Sequence, residues 1–195
     1  MRITGGTFRS RSLVAPRGHA TRPTQDRVRE ALFSVLVSRG LFTGAPRVLD
    51  LYAGTGALAL EALSRGAGFA VMVEQGRDAL RALRENVAAL GLQDRTRVQP
   101  TSVEKALSLS LRGPEAFGAP FDLVFADPPY ADLAPAAKAL GGVIRLLSEG
   151  ALVVVEHACV DPSPTIDGLQ LDTTRTYGDT VLALFSRQPG LGPQS

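Results

Sequence analysis

Apolar and polar positions fall into two kinds of block along this chain. Arg47–Tyr52, Phe69–Glu74, Phe121–Ala126 and Ala151–Glu156 are short and almost continuously apolar, the pattern of strands buried on both faces. Thr96–Gln99 reads as a shorter and more polar strand. Between them, Ala57–Arg65, Gly76–Leu90, Val103–Leu109 and Ala134–Leu147 carry apolar residues at helical spacing, with Gly66 and Gly91 placed as stops. This alternation predicts a parallel sheet covered on both faces. The ends differ. Residues 1–15 read as a β-hairpin, with Ile3 and Leu13-Val14 on its strands and Gly5-Gly6 near the turn; Pro16–Pro23 reads as loop. Thr24 opens a predicted helix to about Arg39, with Val28, Leu32, Val35 and Leu36 on one face and Gly40 as stop. At the far end, Leu169–Thr176 and Thr180–Ser186 are joined at Tyr177-Gly178-Asp179 with no helix between, so they predict an antiparallel pair at one sheet edge. The expected architecture is α/β: a mostly parallel seven-stranded sheet with an antiparallel C-terminal hairpin. An N-terminal extension (1–23) precedes one domain (24–187), and residues 188–195 form a loose tail.

Composition narrows the setting. A chain of 195 residues, 45% hydrophobic and 21% charged, can bury a core without disulfides or structural metal. The single cysteine, Cys159, excludes an internal disulfide and a cysteine-based zinc cluster, and no His/Asp/Glu/Cys grouping suggests a metal. The sequence lacks a run of about 20 apolar residues and a signal-peptide core, which points to a soluble, cytoplasmic protein. The net charge of +2 is uneven: seven arginines stand against two acids in residues 1–30, while Lys105 and Lys138 are the only lysines. GC-rich coding accounts for arginine over lysine but not for its clustering at one end. A one-ended basic excess suits a polyanionic partner.

The first strand runs into Asp50-Leu51-Tyr52-Ala53-Gly54-Thr55-Gly56. Small residues at that place let the chain turn tightly against a ligand at the carboxyl edge of the sheet. Glu74 closes the second strand, about 20 residues on, where an acid commonly accepts from a ribose diol. These features fit any nucleoside cofactor, NAD included. Asp50 tilts the choice, because an anion at the strand tip repels a pyrophosphate and attracts a cationic ligand. S-adenosylmethionine, with a sulfonium and an ammonium and no phosphate, fits. Asp50 reads alternatively as a charge partner for the next helix's N-terminus.

Asp127-Pro128-Pro129-Tyr130 ends the fourth strand. An exocyclic purine amine is a poor nucleophile because its lone pair is delocalised into the ring. Acceptors aimed at its hydrogens favour rehybridisation and strengthen in the transition state. The Asp127 carboxylate and the Pro128 carbonyl can be those acceptors. The prolines stiffen the turn, and Tyr130 offers a ring for the base to stack on.

The two motifs in this order resemble the class I S-adenosylmethionine-dependent methyltransferases that act on amines. Arg2-Ile3-Thr4-Gly5-Gly6, Arg9-Ser10-Arg11, Arg22-Pro23-Thr24-x-x-Arg27-Val28-Arg29-Glu30-Ala31-Leu32-Phe33 and Glu61-Ala62-Leu63-Ser64-Arg65-Gly66-Ala67 narrow the resemblance to the bacterial 16S rRNA guanine-N2 methyltransferase family, over residues 1 to about 187. That resemblance implies a Rossmann-like class I fold and methyl transfer to the exocyclic N2 of a guanine in small-subunit rRNA or the 30S particle. It implies a cofactor site of Asp50, Tyr52, Ala53, Gly54, Gly56, Glu74, Ser102 and Asp127. Asp127, Pro128 and Tyr130 would hold the guanine, and Arg2, Arg9, Arg11, Arg17 and Arg22 the RNA, in a monomer. The sequence departs from the family twice: after the third strand, where an Asp or Asn often meets the adenine amine, the stretch is Gln99-Pro100-Thr101-Ser102, with Ser102 the best substitute, and Ser10 stands where Gly is usual. Arg22 and Thr24 are placed where a segment could fold over the cofactor, though a helix cap explains Thr24 equally. An N6-adenine methyltransferase shares the Asp-Pro-Pro-Tyr tip but normally carries a recognition domain. A glutamine methyltransferase would show Asn at 127. A dinucleotide-binding oxidoreductase is permitted by Gly54-x-Gly56-x-x-Ala59, and a non-catalytic rRNA-binding assembly factor would have no use for Asp127 and Tyr130.

Overall fold

A computed structural model describes residues 1–15, 23–110, 113–129 and 133–187. The chain divides into two compact units, Met1–Ser102 and Val103–Ser195.

In the first unit, α1 (Pro23–Ser38) is followed by β1 (Arg47–Leu51), α2 (Ala57–Ser64), β2 (Phe69–Glu74), α3 (Arg77–Leu90) and β3 (Thr96–Pro100). The three strands are parallel in the order β3-β2-β1, with Asp50 opposite Met72 and Glu74 opposite Pro100. Val48, Leu49 and Leu51 of β1 and Val71, Met72 and Val73 of β2 are buried. They explain the unbroken apolar runs: both faces of these strands are covered. β3 is only partly buried, which suits its polar sequence and edge position.

The N-terminal hairpin is smaller than expected. Its one ladder pair among the described residues is Arg2 with Ser12, supported by backbone bonds from Ile3 N to Arg11 O and Leu13 N to Met1 O. Ile3 and Leu13 are buried, whereas Val14 is exposed. Gly5-Gly6 stands at the start of the turn, as expected, with Gly6 O accepting from Arg9 N. It is pressed against α2, where a Cβ on Gly6 would lie 1.9 Å from the Ser64 carbonyl oxygen. Ser10 takes φ +70°, a conformation glycine enters without strain.

The second unit contains α4 (Val103–Ser110), α5 (Pro114–Phe117), β4 (Phe121–Ala126), α6 (Leu133–Leu140), β5 (Leu147–Ala158), β6 (Leu169–Tyr177) and β7 (Thr180–Arg187). The strand order is β4-β5-β7-β6, with β4 and β5 parallel and the last three antiparallel, as the missing final helix requires. Two boundaries depart from the sequence pattern. The helix expected to reach Leu147 ends at Leu140, because Gly141-Gly142 removes the side chains and helix propensity that would continue it; a 3-10 segment to Leu146 follows. β5 starts at Leu147, not Ala151, because Ser148 donates to Asp122 Oδ1 at 2.6 Å and the register then slips by way of Gly150 at φ +73°.

Candidate active site

The glycine loop reverses within five residues: Tyr52, Gly54 and Gly56 all have positive φ, at 64°, 56° and 82°. For Tyr52 this conformation costs about 1–2 kcal/mol, so the surroundings must hold it. Ala53 N donates to Val73 O at 2.9 Å, and Gly56 N donates to Ala53 O at 2.7 Å. Glu74 Oε2 accepts from Gly54 N at 2.7 Å, while its Oε1 accepts from Gln75 N and Gly76 N at 2.8 and 2.6 Å. One half-buried carboxylate therefore ties the loop to the turn that starts α3.

Asp50 is buried, with 2% of its surface exposed, and its Oδ2 accepts from Ala59 N in the first turn of α2 at 3.1 Å. This is the helix-partner role that the sequence left open. This bond ties the end of β1 to the first turn of α2.

The two glycines differ. A Cβ on Gly56 would lie 2.4 Å from Leu83 Cδ1, whereas one on Gly54 would meet nothing closer than Tyr52 O at 4.0 Å. Gly56 is needed for packing, and Gly54 presents bare backbone to open space. Gly56→Ala should therefore destabilise by about 1–3 kcal/mol from overpacking, in addition to the backbone strain that both substitutions share. Gly54→Ala should lose less stability and still bind a ligand at the loop more weakly. Guanidinium unfolding midpoints rank the two, and the reverse order would contradict this division of roles. Ser102 is half-buried just beyond β3, so Gly54, Glu74 and Ser102 lie along the carboxyl edge of the three parallel strands.

In the second unit, Phe121, Leu123, Val124 and Phe125 are fully buried and anchor β4. The chain then emerges. Asp127 is exposed, Pro128 buried and Pro129 exposed. Asp127 as a residue is exposed, while its carboxyl group lies against protein. That crowding weakens its hydration and raises its pKa from 3.8 to about 6.

The β4–β5 ladder runs to Ala126 with Val155, so Asp127 and Glu156 are the next residues along the two parallel chains. Burial, and then the Asp127 charge, push the Glu156 pKa up to about 8. Burial thus disfavours the ionised form of both acids, and the charge on Asp127 further disfavours that of Glu156. Glu156 was visible in the sequence only as a strand end. The clue to it was that β5, like β4, is an apolar run ending in an acid.

Of the arginines expected at RNA, Arg2, Arg9 and Arg11 are exposed. Arg11 Nη2 donates to Ala89 O at the end of α3 at 2.9 Å, and the Arg2 carbonyl accepts from Arg29. Arg17, Arg22 and Tyr130 lie outside the described residues, as does the side chain of Thr24. The described residues contain no group of three or more potential metal ligands.

The N-terminal motifs meet at one buried carboxylate that the sequence did not mark as a centre. Glu61, 0% exposed, accepts from Thr4 N at 2.7 Å, from Thr4 Oγ1 and Gly5 N at 2.8 Å, and from Arg65 Nε at 2.8 Å. Arg29 Nε lies 3.5 Å away. Ser64 Oγ donates to Gly5 O at 2.6 Å and accepts from Phe8 N at 2.9 Å. The three separate strings around Thr4, Arg29 and Glu61 are one assembly.

Residues 1–186 match the family described as Conserved hypothetical protein 95. This chain belongs to that family. It is 33% identical over 195 residues to Ribosomal RNA small subunit methyltransferase D of Escherichia coli K12, covering 96% of this chain and 90% of that protein. Among solved structures it matches yhhF of E. coli with a TM-score of 0.79 and 33% identity, over 96% of this chain and 98% of the other. Ribosomal protein L11 methylase from Lactobacillus delbrueckii shares the fold at a TM-score of 0.64 and 19% identity, over 94% of this chain and 90% of the other. The family member thus has the expected fold: a mostly parallel, seven-stranded, Rossmann-like methyltransferase sheet with antiparallel C-terminal strands.

Proposed function

We propose that this chain transfers a methyl group from S-adenosylmethionine to the exocyclic N2 of a guanine in 16S rRNA. The observation that carries the reading is Asp127, an exposed acid at the tip of a fully buried strand. The family relationship to a small-subunit rRNA methyltransferase supports the substrate class.

The glycine loop suits the cofactor, because bare backbone at Gly54 faces open space and Glu74 keeps acceptor capacity for hydroxyls. Ser102 on the same edge is the candidate for the adenine amine. When bound, the cofactor supplies an electrophilic methyl on a sulfonium. Asp127 and the Pro128 carbonyl accept the N2 hydrogens and hold the lone pair toward that methyl. The cofactor would give that methyl to N2 and keep the S–C electron pair on sulfur, and the nitrogen's proton would pass to Asp127 or water. No strong base is needed before transfer; positioning supplies the rate. Tyr130 would stack on the base.

Labelled-methyl transfer to rRNA, 30S subunits and DNA, followed by nucleoside analysis, tests the proposal. N2-methylguanosine is expected, and N6-methyladenosine would overturn the substrate assignment. The chain is further proposed to act as a cytoplasmic monomer, which sedimentation checks for the free protein. No helix among the described residues is long and apolar enough to cross a membrane.

RNA contact is assigned first to Arg9, whose guanidinium bonds none of the other described residues. Arg9→Ala should reduce the slope of log Kobs against log[salt] by about 0.7–0.9, one phosphate's worth of counterion release. An unchanged slope would remove Arg9 from the interface.

A further inference from the structure

α3 carries an asparagine where its packing calls for an apolar residue. Asn86 is 1% exposed and lies on the buried face with Leu83, Val87 and Leu90. A buried amide is costly unless bonded, and asparagine is a weak helix former. All three of its bonds leave its own helix. Oδ1 accepts from Val14 N at 2.7 Å, and Nδ2 donates to Val14 O at 3.0 Å and to Thr55 O at 3.0 Å. Val14 requires an acceptor for its N–H and a donor for its carbonyl, so the amide has one orientation that satisfies both.

The two ends of this bridge are far apart in sequence. Val14 follows Leu13, which closes the hairpin by bonding Met1. Thr55 lies between Gly54 and Gly56, in the middle of the strained reversal. One rigid side chain thus joins the hairpin that carries Arg9 to the loop assigned to the cofactor. A second contact, Arg11 to Ala89, holds the same hairpin to the same helix one turn further on.

We propose that Asn86 couples the two binding events, so that cofactor and RNA each strengthen the binding of the other. The inference rests on the function proposed above. A ligand that fixes the loop fixes the Thr55 carbonyl, hence the Asn86 amide, hence Val14. The ordering cost at the hairpin is then partly met before RNA arrives. Linkage makes the effect reciprocal. Asn86 touches neither substrate and is a positioning residue.

The test uses the full chain, S-adenosylhomocysteine and a 16S rRNA transcript. In the unsubstituted protein, saturating S-adenosylhomocysteine should tighten RNA binding by about 5-fold or more, RNA should tighten S-adenosylhomocysteine by the same factor, and amide exchange at Val14 should slow when the nucleoside alone is added. Asn86→Ala should bring the factor to 1 while both ligands still bind. That ratio is insensitive to a general loss of affinity, so a merely structural role would not move it. If Asn86→Ala does not fold, Asn86→Asp serves: it keeps the acceptor for Val14 N and loses both donors, and its factor should also be 1. A factor of 1 in the unsubstituted protein, or a factor retained in either substituted one, overturns the coupling alone. Failure to bind S-adenosylhomocysteine at all overturns the proposed function, and the coupling with it.

Discussion

Asp127→Ala should lower kcat by about 10²–10³-fold, the usual effect of removing one well-placed polar group that acts mainly in the transition state. Binding of S-adenosylhomocysteine should stay within about 2-fold, since the loop assigned to the cofactor is held by Glu74, Val73 and Asp50 without Asp127. Stability should change little, because the residue is exposed and the strand is anchored by residues that remain. The pH profile gives a second check. The ionised carboxyl is the stronger acceptor and the form that can take up the nitrogen's proton, and burial raises its pKa to about 6, so kcat should fall as pH drops through about 6. Glu156→Gln should leave that acid limb in place, because Glu156, with its pKa pushed to about 8, is already protonated there. Steady-state kinetics between pH 5 and 9 measure both. Normal turnover in Asp127→Ala would end the acceptor mechanism, and a displaced acid limb in Glu156→Gln would mean that Glu156 carries charge at pH 6.

Glu61→Ala should be the most destabilising single change in the N-terminal half, by about 3–5 kcal/mol. The loss is not that of a surface ion pair. Two backbone amides, a threonine hydroxyl and two arginines converge on this carboxylate in a space closed to water. Removing it leaves two amides, the Thr4 hydroxyl and Arg65 Nε without this acceptor, and leaves Arg29 with Asp26 as its carboxylate partner. Against a typical total of 5–15 kcal/mol, the variant should unfold at clearly lower guanidinium concentration, with proteolysis beginning in residues 1–15. Glu61→Gln, which keeps one acceptor oxygen, should fall between. A shift below 1 kcal/mol in Glu61→Ala would show that the donors find water.

The sheet was legible in the sequence because burial on both faces leaves an unbroken apolar run, and β1, β2 and β4 show one. The edge pair was legible because Tyr177-Gly178-Asp179 leaves no room for a crossover helix. Helix and strand ends were less so. Gly141-Gly142 lies inside a segment whose spacing stays helical, and the early start of β5 depends on a side-chain bond between Ser148 and Asp122 on different strands. The site was legible as residue types but not as partners. Asp50 stands near the end of β1 as the pattern places it, yet nothing local directs its oxygen at Ala59 N. Glu156 required the β4–β5 register to stand beside Asp127. Thr4-Gly5-Gly6 resembled part of an RNA-gripping arm. Its amides bond a carboxylate more than fifty residues away, a separation that no local pattern encodes.

That seating divides the arm into a fixed root and an exchangeable tip. The root is keyed to its own helices: Gly6 admits no side chain against Ser64, Thr4 and Gly5 fit Glu61, and Val14 fits Asn86. Thr7, Arg9, Ser10 and Ser12, by contrast, turn their side chains outward. A recognition arm grafted from another protein would take hold here only if it brought this root with it. Diversity in what the arm recognises can accumulate at those few outward positions while the scaffold beneath them stays unchanged.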